Sequence, residues 1–272
     1  MNNIKPTDEE ITITLKQVAE MFGGEGRKTI LFENLGKHAF EISMIMNNCT
    51  QGGEVLDVGA GLGVNLLSLR KLNGSLKLHL VDRFDEYNEE NRMGSSEAGL
   101  RLLRDSGISV VSQDFWQKPV LPYDSDTFDI ATCFDVVEHL PGHPLKLLTE
   151  MRRVLKLHGH IILGGPNSIG LLKRLILLFG RYPYTAPFES WCSDRYFSHY
   201  REYSPTEYRR LLEMSGFKEV QTIMLAEPSS RHHPRESGFT GYIIAVGIWI
   251  VYLFILISPK LRPSVYCLAE KV

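Results

Sequence analysis

A strong charge of either sign is missing from this 272-residue chain: 30 Lys and Arg stand against 32 Asp and Glu, for a net charge of -2 and a pI of about 6.5. No global field draws such a chain to nucleic acid, and no nucleic acid is expected as a partner. Cysteine is scarce as well. Cys49, Cys133, Cys192 and Cys267 lie far apart, with neither the pairing of a zinc site nor the density of a disulfide scaffold. The N-terminus carries acids at Asp8, Glu9 and Glu10 where a signal peptide has a basic start and an apolar centre, so a reducing cytoplasm is the expected compartment. Charge is absent altogether from Gly241 to Ser258, an apolar run at the lower limit for crossing a bilayer.

The run Glu54-Val55-Leu56-Asp57-Val58-Gly59-Ala60-Gly61-Leu62-Gly63, followed by His79-Leu80-Val81-Asp82, is the chain's most informative pattern. A short apolar strand breaks into alternating glycines, and a lone acid closes the next strand. This is how a parallel sheet holds a nucleotide-type ligand at its carboxyl edge: the turn brings backbone amides against the ligand, and the acid accepts hydrogen bonds from ribose hydroxyls. Val64 occupies the sixth position, where a dinucleotide-binding turn would have glycine.

Further blocks follow in order. Ser112-Gln113-Asp114-Phe115 offers an acid and a ring for an adenine. Phe128 to Leu140 reads as a buried strand, with Phe134 and Asp135 near its end, running into Glu138-His139-Leu140. Val154 to Gly164 is a helix end, a glycine turn and another apolar strand. Over roughly residues 50 to 225 this series resembles the class I S-adenosylmethionine-dependent methyltransferases. The resemblance implies S-adenosyl-L-methionine as cofactor. By position, Asp57, Gly59, Ala60, Gly61 and Gly63 would face its methionine part, Asp82 and Arg83 its ribose, Asp114 and Phe115 its adenine, and Phe134 and Asp135 the rest of its seat. It also implies an α/β, Rossmann-like fold, with a seven-stranded, mostly parallel sheet ending in an antiparallel hairpin and helices on both faces.

Periodicity supplies the helices. Thr7 caps a first one carrying Leu15, Val18, Ala19 and Phe22 at helical spacing, and a second spans about 33 to 47. Together residues 1–50 read as helices capping a core domain of 51–272. Val64 to Leu72 is the first crossover helix, Glu86 to Arg104 the second helical region, and Ile108 to Ser112 the third strand. Residues 166–205 are longer than a simple link and read as a lid over the acceptor, with a basic, leucine-rich helix at 171–181. Ser204-Pro205-Thr206-Glu207 opens a last helix with a capping box.

The apolar run sits in an insert, 236–262, before a last strand at Ser264 to Glu270. A single crossing would leave that strand on the far side of the membrane from its sheet. An interfacial helix or a shallow re-entrant pair would not. The expectation is a monotopic or peripheral enzyme on the inner face of the membrane, with Lys260 and Arg262 near anionic headgroups. Burial of 241–258 in a homodimer interface or against the sheet is the competing reading.

Methyl transfer to a hydroxyl needs alignment, exclusion of water and a proton acceptor. His139 and His199 are the candidates. Glu138, His139 and His143 include metal-ligand types, but the Pro141-Gly142 turn between them leaves their geometry open, and no metal is expected. The tail pattern resembles the branch of the family acting on glycans and lipid-linked sugars. The leading expectation is therefore O-methylation of a lipid-linked saccharide or other amphipathic acceptor. A quinone-precursor or small-phenol O-methyltransferase is the alternative enzyme, and a non-catalytic, cofactor-binding membrane partner the alternative of another class.

Overall fold

The computed structural model describes residues 5–22, 27, 30–31, 34–84, 97–115, 117–184, 199–226 and 253–272. Helices α1 (Asp8–Phe22) and α2 (Leu35–Asn48) precede β1 (Glu54–Val58), α3 (Val64–Leu72), β2 (Lys77–Asp82), α4 (Glu97–Asp105), β3 (Ile108–Ser112) and β4 (Phe128–Phe134). A single turn of 3-10 helix, Val137–His139, follows β4. Next come α5 (Leu145–Val154), β5 (Leu155–Pro166), α6 (Leu171–Leu178), α7 (Pro205–Met214), β6 (Lys218–Leu225) and β7 (Ser264–Glu270).

The seven strands form one sheet in the order β3-β2-β1-β4-β5-β7-β6. Pairings among β1 to β5 are parallel, while β7 lies antiparallel between β5 and β6. The expected fold class is therefore what the chain adopts. The last strand pairs with β6 as the sequence indicates and also pairs with β5, so the chain returns after the apolar insert one strand in from the edge of the sheet.

Alternation along the strands sends side chains to two cores. Leu56 and Val58 of β1 join Leu148, Met151, Tyr208 and Leu212 under α5 and α7. Val55 joins Leu15, Val18, Ile42, Ile45, Leu66 and Leu69 under α1, α2 and α3. Helices thus cover both faces, and α1 and α2 share a core with the sheet.

Both sequence-read caps form. Thr7 Oγ1 accepts from Glu10 N at 3.2 Å. Ser204 Oγ accepts from Glu207 N at 3.3 Å while the Glu207 carboxylate takes the Ser204 amide at 2.8 Å, the reciprocal pairing of a capping box. Of the second helical region at 86–104, residues 86–96 lie outside the described residues, as do 185–198 of the lid and 236–252 of the insert. Among the described residues no helix is long and apolar enough to cross a membrane. The described end of the apolar run, 253–257, is helical, with Leu253, Phe254, Leu256 and Ile257 exposed.

Candidate active site

The parallel order reverses at β1, whose neighbours β2 and β4 lead their chains away in opposite directions. Ligands of such sheets bind at the carboxyl ends of these strands. The glycine turn lies there. Gly59 has φ +77°, and a Cβ on it would come within 2.2 Å of Val136 Cγ2, so the turn and the loop after β4 touch only because the side chain is missing. Gly61 also has a positive φ, +51°, but its absent Cβ faces open space. Gly63 is the N-cap of α3. One glycine therefore makes room for the protein, the other for what lies outside it.

Asp82 closes β2 at 5% exposure. Its two oxygens accept the backbone amides of Gly61 and Arg83, each at 2.5 Å. Burial pushes its pKa up, and the two amides oppose that. A carboxylate has about four acceptor positions, so two amides leave capacity for a pair of ribose hydroxyls. This and the open side of Gly61 are the features that an S-adenosylmethionine seat requires, and the residues fit it.

The other sequence-named residues take varied positions. Asp57 is buried and accepts from Thr132 Oγ1 of β4 at 2.7 Å; burial drives its pKa up to about 7, the Thr132 bond pulling the other way. The Ala60 carbonyl accepts the Gly63 amide at 2.9 Å, closing the turn. Arg83 pairs with Asp114 at 3.0 Å, and Asp114 also accepts from the Gln117 amide at 3.1 Å. Phe115 is buried in the core below Val81 and Leu121. Phe134 packs edge-on against Tyr266, with centroids 5.8 Å apart.

Asp135 stands in the left-handed region at φ +52°, a conformation held here by its amide bonding to the Gly164 carbonyl at 2.9 Å. Non-glycine residues of this kind concentrate at functional sites. Its carboxylate is ion-paired to Lys37 of α2, a partner that no spacing in the sequence announces. Desolvation lowers the pKa of Lys37, but Asp135 and Glu41 outweigh it and leave the pKa raised. Glu41 is itself buried, accepting from Asn65 at 2.8 Å and from the Tyr266 hydroxyl at 2.9 Å.

The two candidate histidines meet. His139 ends the turn after β4, and the His199 ring lies against it edge-to-face at 4.7 Å between centroids. The backbone enforces this contact over sixty residues of sequence, because the Glu138 carbonyl accepts the Tyr200 amide at 2.7 Å. His199 Nδ1 is 2.9 Å from Glu202 Oε1, and Glu202 is also ion-paired to Lys173 of α6. Burial depresses the Lys173 pKa to about 8. His143 instead lines a neighbouring cavity of about 580 Å³ with Leu140, Tyr200, Tyr203 and Arg210.

Glu138 is fully buried, and neither carboxylate oxygen has a hydrogen-bond partner from another of the described residues. Burial first, and Asp135 second, push its pKa up to about 8. Sequence reasoning named Glu138 only beside His143. The functional neighbours it missed are Lys37, Lys173 and Glu202. Of these only Glu202 had a signal, its position three residues after His199.

Compared with known proteins, residues 36–222 match a family model described as a methyltransferase domain. The chain is 26% identical over 209 residues to the demethylmenaquinone methyltransferase of Bacillus subtilis, covering 76% of this chain and 82% of that protein. Among solved structures it resembles an S-adenosylmethionine-dependent methyltransferase from Thermotoga maritima, at 18% identity and TM-score 0.56 over 95% of this chain and all of that one. It also resembles phosphoethanolamine N-methyltransferase 2 of Haemonchus contortus in complex with S-adenosylmethionine, at 15% identity and TM-score 0.58, over 98% of this chain and 58% of that one.

Proposed function

The chain belongs to the methyltransferase-domain family and uses S-adenosylmethionine, and from that premise we propose that it methylates an oxygen of an amphipathic acceptor, a lipid-linked saccharide or similar molecule, at a membrane surface. The observation that carries the reading is the pairing of His139 with His199, backed by Glu202, at the end of the strand next to the cofactor turn.

The cofactor supplies an electrophilic methyl group on a sulfonium. The chain's own residues do the remainder. Asp82, Gly61 and the neighbouring amides hold the nucleoside. Asp135, fixed by Lys37, borders the seat on the β4 side. The imidazole pair takes the acceptor proton, with Glu202 holding the His199 ring through Nδ1, a task worth typically 10²- to 10⁴-fold in rate. The cavity beside the pair begins one residue after each histidine, at Leu140 and Tyr200. Its lining is apolar and aromatic with Arg201, Arg210 and Glu207 among it, which suits an acceptor that is part hydrophobic and part polar.

Membrane association is supported by two exposed apolar surfaces. On α6 and just after it these are Leu177, Leu178 and Phe179; on 253–257 they are Leu253, Phe254 and Ile257. The two elements are tied together, since Asn167, shortly before α6, donates to the carbonyls of Lys260 and Arg262 just after the second. Confinement to a surface raises the local concentration of a lipid-borne acceptor.

The test is incubation of the full chain with isotopically labelled cofactor and extracted membrane lipids. Label in a glycolipid fraction supports the leading reading. Label in a quinone fraction supports a quinone-precursor methyltransferase, the reading favoured by similarity to the Bacillus subtilis protein. Cofactor binding without transfer supports a non-catalytic partner. Flotation with anionic vesicles tests the surface: the intact chain staying with the soluble fraction at physiological salt overturns the membrane component.

A further inference from the structure

We propose that Glu138, His139 and His199 bind one divalent transition-metal cation of the zinc type. One ligand atom from each residue lies within 4.8 Å of the others. Ligands at 2.0–2.2 Å around a tetrahedral ion stand about 3.4 Å apart, so closure of the cluster by about 1 Å seats it.

Three independent features point to an ion. First, the Glu138 carboxylate is fully buried with no hydrogen-bond partner from another of the described residues. A buried acid in that condition calls for a cation or a proton. Second, His199 Nδ1 is engaged by Glu202 at 2.9 Å. This is the carboxylate-imidazole arrangement that fixes the tautomer of a ligating histidine and turns Nε2 toward a metal. Third, the cluster is held by backbone, through the Tyr200 and Arg201 amides on the Glu138 carbonyl, so the histidines are brought to the carboxylate before any ligand arrives. The sequence offered His143 beside Glu138 and His139 with its geometry open and no metal expected; the fold sends His143 to the cavity and brings His199 to the cluster.

The donor set selects the metal. Two imidazoles and one carboxylate suit zinc and its neighbours, whereas magnesium and calcium take oxygen shells. Three protein ligands leave a fourth position open, and the acceptor cavity begins one residue after each histidine. In this respect the inference rests on the methyl-transfer reading: an acceptor hydroxyl would be the fourth ligand, its acidity raised by the ion. In the metal-loaded chain the histidines would serve as ligands and the proton would leave to water; in the metal-free chain they take the proton themselves.

Full-length protein stripped with a chelator is titrated with Zn²⁺ by calorimetry and with Co²⁺ by visible absorption. The expected result is one ion per chain, a d–d spectrum of low coordination number, and much weaker heat from Mg²⁺. His199→Gln and Glu138→Gln should each weaken binding by at least about 100-fold, and Glu202→Gln by about 10- to 100-fold. The His199 side chain is 28% exposed, so H199Q keeps the test open if E138Q does not fold. Absence of binding, preference for Mg²⁺, or affinity unchanged in H199Q and E138Q overturns the site. S-adenosylmethionine titrated into the same metal-free chain separates the two readings. Cofactor binding without Zn²⁺ binding sinks the metal alone, and Zn²⁺ binding without cofactor binding sinks the methyltransferase reading alone.

Discussion

Asp82 and Glu138 are both buried carboxylates at the carboxyl edge of one sheet, yet the first receives two backbone amides and the second receives nothing from another of the described residues. The β1–β2 half of the site is thus complete before any ligand arrives. The β4 half is assembled from side chains of distant segments and holds an acid whose carboxylate has no hydrogen-bond partner from another of the described residues. Preorganised amides suit a cofactor that is the same in every turnover. An unsatisfied acid beside two histidines suits an acceptor, and the ion or proton that goes with it.

This contrast can be broken most sharply at the histidines. Replacing His139 and His199 together by Gln should lower turnover by about 10³-fold while leaving S-adenosylmethionine affinity within about threefold, as read by rapid kinetics and calorimetry. A parallel loss of cofactor affinity would join the two halves into one unit. Asp82→Ala should do the reverse. Two hydrogen bonds to a charged group amount to about 3 kcal/mol, or roughly a 100-fold loss of cofactor affinity, with the histidine cluster undisturbed.

The glycines sharpen the same division on a smaller scale. Gly59→Ala forces a Cβ into Val136 at a positive φ and should destabilise the fold by about 3 kcal/mol in denaturant titration. Gly61→Ala meets no protein atom within 4 Å. It should cost only about 1 kcal/mol of stability while weakening cofactor binding, because the new methyl group occupies the cofactor's side of the turn.

The pH dependence of stability follows from Asp57. In the unfolded chain it loses its proton near 3.8, in the fold near 7. Between those values the folded state holds the extra proton, so stability falls as pH rises through that window and levels off above it. Glu138 acts in the same direction up to about pH 8. Asp57→Asn should remove on the order of 2 kcal/mol of the decline between pH 4 and 7, measured by chemical denaturation of cofactor-free protein. The smallest effect is expected at Ser204→Ala, which opens the capping box of α7 at about 1 kcal/mol.

The two halves also differ in how far the sequence discloses them. Gly59, Gly61 and Asp82 are adjacent elements of one strand-turn-helix-strand unit, so local spacing is enough to place them. Helices α1, α3 and α7 were legible for the same reason: apolar period and caps are local signals, whereas the mixed sheet was expected from the family resemblance and its strand order came only with the structure. His199 was named as a residue, but its contact with His139 depends on backbone hydrogen bonds from Tyr200 and Arg201 to the Glu138 carbonyl. No periodicity encodes those bonds. Lys37 was silent because a lysine on an amphipathic helix looks like any solvated one until the helix packs beside Asp135. Of the expected adenine neighbours, the structure pairs Asp114 with Arg83 and packs Phe115 in the core cluster.

The separation of cofactor seat and acceptor cluster is tested most directly by titrating S-adenosylmethionine into native, Asp82→Ala and His199→Gln proteins side by side in a calorimeter. The account predicts one cofactor per native chain, roughly 100-fold weaker binding in D82A and native affinity in H199Q. Equal losses in both variants, or native affinity in D82A, would contradict it.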